Sequence, residues 1–214
     1  MKTFAWLVTA ALLLVTACGS TGGDLPAGPD LLRKSAEAMR TVKTVAFTLD
    51  AKDRPAVPVR HAEGSLTRQG DAKGRLQVEL MGLQEFEFVV VGDTVRFKGP
   101  TGGFQTMSRA QLTALYDPSA VLTGVPGLLS AAQDARTEAV EQVGGGDAYR
   151  VAVTLPQRSL ATLVPGVGQS VRGTVWIDRA TARVARIDLP LTGGSVLANL
   201  RDYDAPVTIT PPAS

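Results

Sequence analysis

The sequence is nearly empty of the side chains that carry covalent or metal chemistry. One cysteine, Cys18, and one histidine, His61, occur in 214 residues. A lone cysteine excludes an intramolecular disulfide, and nothing in the chain has the His/Cys/carboxylate spacing of a metal centre. A serine–histidine triad would have to use His61, which stands between Arg60 and Ala62 beside a predicted strand, with no nucleophile elbow to serve. Gly144-Gly145-Gly146 is too short for a phosphate loop and runs into Asp147, whose charge repels phosphate. Gly166-Val167-Gly168 lacks the strand-to-helix setting of a dinucleotide site. No catalysis, cofactor or metal is expected. A surplus of one charge is missing too: 22 lysines and arginines face 20 acids. That balance gives no nucleic-acid footprint and no polybasic membrane patch. Beyond Val15, no hydrophobic run is long enough to span a bilayer.

What is present begins with a leader. Lys2 precedes an apolar run from Phe4 to Val15, interrupted only by Thr9. About 20 apolar residues are needed to cross a bilayer core, so this shorter run reads as the apolar region of a signal peptide covering residues 1–17. The small residues Thr16 and Ala17 suit a cleavage site, and Val15-Thr16-Ala17-Cys18 resembles the bacterial lipobox. That resemblance implies that Cys18 is diacylated before cleavage and N-acylated after it, anchoring the chain to the outer face of the cytoplasmic membrane. A simple secretory leader with an incidental cysteine is the alternative. Several acyl chains anchor stably where one does not. Residues 19–29, rich in glycine and other turn formers, read as a tether spanning on the order of 18 Å. Residues 30–210 then form a single domain, and 211–214 a tail.

Within the domain, Asp30 reads as the N-cap of a helix to about Thr41, with Leu31, Leu32, Ser35, Ala36 and Met39 on one face. From Lys43 the period becomes two. Val45, Phe47 and Leu49 alternate with polar or small residues, as do Leu76, Val78 and Leu80, and Phe86, Phe88 and Val90. Gly92-Asp93 and Gly144 to Asp147 mark hairpin turns. Ser108 with Gln111 forms a capping box. Between Ala110 and Ala132 the only charged residue is Asp117, so the segment reads as short apolar helices, interrupted at Pro118 and at Gly124-Val125-Pro126-Gly127, that cover a sheet. Further strands are expected near 138–143, 148–154, 171–177, 183–189, 195–203 and 206–210. The result is an α+β domain: one long, strongly curved antiparallel sheet, a half-barrel of about 10–11 strands, with short helices over its concave face. Period-two strands do not fix curvature, and a two-sheet sandwich is the alternative.

The lipobox, the helix near Asp30, Phe88-Val89-Val90-Val91-Gly92-Asp93-Thr94, Tyr116-Asp117-Pro118-Ser119-Ala120-Val121-Leu122 and Gly173-Thr174-Val175-Trp176-Ile177 occur in an order that resembles the LppX/LprG family of actinobacterial lipoproteins. The resemblance covers nearly the whole mature chain. It implies a fold like the LolA/LolB carriers and receptors of the periplasm, with an apolar cavity under the helices. It also implies a non-catalytic function: binding multi-acylated lipids such as triacylglycerol, phosphatidylinositol mannoside or lipoglycan, and moving them through the cell envelope. A membrane transporter is a candidate partner. The candidate cavity lining is Phe86, Phe88 and Val90 from the sheet, with Leu112, Leu115, Val121, Leu122, Leu128 and Leu129 from the helices. Ordinary core is the competing reading for each of them. A lipid-sensing or protein-interaction module on the same scaffold is the alternative function.

Overall fold

The computed structural model describes residues 25–114, 117–164 and 167–211. Cys18, the leader, Leu115 and Tyr116 lie outside the described residues. A first helix, α1 (Gly28–Arg40), leads into six strands: β1 (Thr44–Asp53), β2 (Val59–Thr67), β3 (Ala72–Glu79), β4 (Leu83–Val91), β5 (Thr94–Lys98) and β6 (Phe104–Ser108). Helices α2 (Arg109–Thr113) and α3 (Ala120–Ala131) cross to β7 (Gln133–Val143) and β8 (Gly146–Leu155). Helix α4 (Gln157–Ala161), β9 (Val171–Asp178), β10 (Val184–Leu191) and β11 (Gly194–Arg201) follow.

All 11 strands form one antiparallel sheet in the order β6-β5-β4-β3-β2-β1-β11-β10-β9-β8-β7. Two meanders are thus joined at their far ends, where β1 pairs with β11 from Ala46↔Arg201 to Asp53↔Gly194. The sheet edges β6 and β7 are consecutive in sequence, and α2 and α3 bridge them across one face. The sheet is an open half-barrel with helices over one face, the expected architecture, and not the two-sheet sandwich that strand alternation left open.

Alternation sorts the side chains. Val45, Leu66, Ala72, Val90 and Val95 stand opposite one another on the helix-covered inner face and are all buried. On the other half, Val151, Val153, Leu155, Val175, Ile177, Leu189 and Val196 are buried under the helices. α1 turns Leu31, Leu32, Ser35, Ala36 and Met39 inward, the face that its sequence predicts, and packs on α3. The outer face carries a polar network. Trp176 donates its indole N–H to Glu141 at 2.7 Å, and Arg150 pairs with Glu138 and Glu141. The bond from Trp176, reinforced by Arg150, holds the Glu141 carboxyl below its ordinary pKa.

Three local expectations change. α1 starts at Gly28, with Pro29 in its first turn, and no side chain caps it; Asp30 lies inside that turn. Proline's preset φ suits a helix start, where its missing N–H costs nothing. α3 is one helix through Gly124-Val125-Pro126-Gly127, because Leu122, Val125, Pro126, Leu128 and Leu129 are all buried along it. Tertiary burial outweighs the local break signals. Residues 206–210 form no strand, because β11 already has neighbours on both sides. The segment is tied down instead: Asp204 accepts from Lys43 N at 2.7 Å and pairs with Arg183, and Lys73 Nζ donates to Thr208 O at 2.8 Å. The bond from Lys43 N, with the Arg183 pairing, keeps the Asp204 carboxyl below the ordinary aspartate range.

Candidate functional site

The inner face is not uniformly covered. Next to the buried row lie Phe47, Gly64, Gly74, Phe88 and Phe97, each opposite the next on β1 to β5. The row beyond is Leu49, Ala62, Leu76 and Phe86. All the side chains of these two rows are only half-buried. The inward side chains Val151, Val153 and Leu155 of β8, Val175 and Ile177 of β9, and Ile187 and Leu189 of β10 are buried, whereas on β1 to β5 only the row at one end is. An apolar trough is left on the inner face, opening at the end that carries the β1–β2 connection, the β3–β4 turn and the β5–β6 connection.

The paired glycines shape this trough. Gly64 and Gly74 face each other, and a Cβ on either would run into the partner strand's backbone, at Lys73 O and Glu63 O. Backbones can approach this closely only where neither strand carries a side chain. With no side chain on either glycine, the row has a gap between Phe47 and Phe88. At the same open end, a crevice of about 300 Å³ is lined by Ala56, Val57, Val167, Val171 and Leu191 with three small or polar neighbours. A larger groove of about 600 Å³ lies between β1–β4 and the tail at 205–208, lined mainly by outer-face residues such as Glu63, Lys73, Arg75, Glu87 and Arg201, with Gly64, Gly74 and Phe88 of the trough row also in its lining.

The residues expected to line a cavity fall into three groups. Val90, Leu122, Leu128 and Leu129 are buried in the main core. Phe86, Phe88, Leu112 and Val121 are half-buried, and Phe88, Leu112 and Val121 pack against that core. Leu115, like Cys18, lies outside the described residues. Phe47, Leu49, Ala62, Leu76 and Phe97 share the face of Phe86 and Phe88 but were not among the expected lining residues; strand parity is the signal that finds them. Asp117 accepts from Ser119 N at 2.9 Å, the role of a turn cap ahead of α3. His61 stands across from Asp50 on the outer face, Nδ1 to Oδ1 at 2.8 Å, away from the trough. Among the described residues, no helix is long and apolar enough to cross a membrane.

Known proteins share this arrangement. The described fold superposes on LprF from Mycobacterium bovis with a TM-score of 0.79, 21% identity, and coverage of 87% of this chain and 97% of that one. For LppX from Mycobacterium tuberculosis the TM-score is 0.67 and the identity 22%, over 85% of this chain and 99% of that one. In sequence, the chain is 28% identical to a protein named lipoarabinomannan carrier protein LprG from Mycolicibacterium hassiacum, over 95% of this chain and 94% of the relative. It is 25% identical to the protein of the same name from Mycobacterium leprae, over 99% and 95%. The profile of the LppX_LprAFG lipoproteins matches residues 27–209, and the chain therefore belongs to the LppX_LprAFG lipoprotein family.

Proposed function

We propose that this protein is a lipid carrier of the cell envelope, anchored to the outer face of the cytoplasmic membrane through acylated Cys18. In this reading it takes the acyl chains of a multi-acylated lipid or lipoglycan into the trough and passes them on. The observation that carries the reading is the pair of half-buried apolar rows on the inner face of β1 to β5, which lie toward one end of the sheet beside a fully buried row. Each methylene of an acyl chain held out of water gains about 0.8 kcal/mol, so an apolar trough is what a lipid in transit needs. Phe86, Phe88, Leu112 and Val121 would meet the chains, with Phe47, Leu49, Ala62 and Leu76 beside them. Val90, Leu122, Leu128 and Leu129 would back that lining, and Leu115 would join it from the α2–α3 connection. The relatives named lipoarabinomannan carriers support a lipoglycan as the cargo class. Non-catalytic binding fits this family and the outward placement of His61.

The full burial of Leu122, Leu128 and Leu129 favours a second reading, in which the interior stays packed and the scaffold senses lipid or holds a protein partner. Native mass spectrometry of residues 19–214, purified without detergent from an actinobacterial host, separates the two. A non-covalent adduct that extracts as an acylated lipid is the expected result. A clean apo mass, with no uptake of offered lipoglycan or triacylglycerol, would overturn the carrier reading.

A further inference from the structure

Five large hydrophobic side chains are exposed among the described residues: Leu25, Leu80, Met81, Leu83 and Val140. All but Val140 lie at the open end of the sheet, and three of them form the tip of the β3–β4 hairpin. Leu80 is 62% exposed, Met81 98% and Leu83 59%. A tight turn ordinarily takes polar or turn-forming residues, so Leu-Met-Gly-Leu is the wrong chemistry for water. The tip is also well defined. Glu79 pairs with Leu83, Leu80 N donates to Gly82 O at 3.1 Å, and Gly82 takes a φ of 126°, a conformation suited to glycine. The hydrophobic side chains are therefore presented outward on a hydrogen-bonded strand pair whose inner face, through Leu76 and Phe86, is the trough itself.

We propose that this hairpin is a membrane-docking tip, with Leu80, Met81 and Leu83 entering the lipid surface and setting the open end of the trough against it. The proposal deepens the reading above and rests on it for the presence of a membrane. Four observations select a bilayer as the occupant. The chain enters the domain at the same end: Thr137 Oγ1 donates to Pro26 O at 2.6 Å, and α1 starts against Ala135. Cys18 is only seven residues before Leu25, a link that reaches at most about 25 Å. Leu25, 40% exposed, adds an apolar contact at that point. The same end of the sheet also presents exposed bases near the tip: Lys52 and Lys98 at the ends of β1 and β5, and Arg54 in the β1–β2 connection. Of the acids at this end, Glu79 pairs with Arg60, Glu85 accepts from Gln77, Asp134 accepts from Thr154, and Asp53 is exposed. An apolar tip with Lys52, Arg54 and Lys98 beside it suits a lipid surface that offers both apolar chains and anionic headgroups.

The test places a reporter on the tip. Met81→Cys in the full processed chain is labelled with an environment-sensitive nitrobenzoxadiazole dye. The protein is added to mixed phosphatidylcholine–phosphatidylglycerol vesicles that carry nitroxide lipids. The unsubstituted chain, treated in parallel, checks that Cys18, its sulfur blocked by the acyl-bearing thioether, takes no dye. The expected result is blue-shifted emission and strong quenching at position 81. The same dye on Asp93→Cys, in the turn at the opposite end, should read as in water. Equal quenching at the two positions, or none at 81, overturns the proposal, as does protection of position 81 only by added protein. A second variant, Leu80→Ser with Met81→Ser and Leu83→Ser, should deliver bound lipid to vesicles about tenfold more slowly and keep its lipid occupancy. Quenching at 81 in a protein that never holds lipid would sink the carrier reading and leave docking standing. Full occupancy with an unquenched tip would do the reverse.

Discussion

Ser35 is the one polar side chain among the described residues that is fully buried, and its hydroxyl has no hydrogen-bond partner. It sits on the inward face of α1 among Leu31, Leu32 and Met39. An orphaned buried hydroxyl costs about 1–3 kcal/mol, and serine is a poorer helix former than alanine by roughly half a kcal/mol. Ser35→Ala should therefore raise the unfolding free energy by about 1–2 kcal/mol, read from the urea midpoint of the lipid-free domain. A lower midpoint would mean that the hydroxyl is satisfied in solution. Val90 illustrates the opposite constraint. It is 1% exposed between Ala72 and Val95, so a bulkier side chain there would be felt as overpacking before it was felt as a blocked cavity.

At the scale of elements, strand parity was legible because hydrophobic residues on every second position leave one face to bury. It placed Val45, Phe47 and Leu49 together on the inner face, with Phe86, Phe88 and Val90 three strands away. The capping box was legible for the same local reason: Ser108 and Gln111 satisfy each other's backbone N–H groups at the start of α2. Long-range competition was not legible. Nothing near Pro126 reports that α3 will be buried along its length, and nothing in residues 206–210 reports that β1 and β10 have already taken both sides of β11. Curvature was not legible either, because a flat and a folded sheet alternate alike. Gly64 and Gly74 each stand inside a strand where a β-branched residue would ordinarily serve better. Gly74→Ala should lower stability by about 2–3 kcal/mol, since its Cβ has only the Glu63 carbonyl to meet. A midpoint within error of the parent's would show that the strands can separate there without cost.

At the scale of the molecule, the two meanders do different work. The β7–β11 half is packed under α1, α3 and α4 and supplies the stable body: Val151, Leu155, Leu160, Val175, Ile177 and Val184 are sealed from water. The β1–β6 half is covered only at the end where α1 runs into β1, and it keeps its aromatic residues half-exposed toward the other end. Holding apolar surface partly in water is a standing cost of about 25 cal/mol for each Å². Folding would relieve that cost if packing were the only demand. Filling the trough should then separate binding from stability, which filling a core cannot do. Ala62 is the place to do it: half-buried, small, and facing Leu49 and Leu76 across the strands. Ala62→Trp should shift the urea midpoint by less than about 1 kcal/mol equivalent, because the indole can lie along apolar surface that is already open. It should remove most of the lipid adduct seen by native mass spectrometry. Loss of stability together with loss of adduct would mean that Ala62 belongs to the closed core. Unchanged stability with unchanged adduct would mean that lipid binds elsewhere, and the outer-face groove between β1–β4 and the tail would become the place to look.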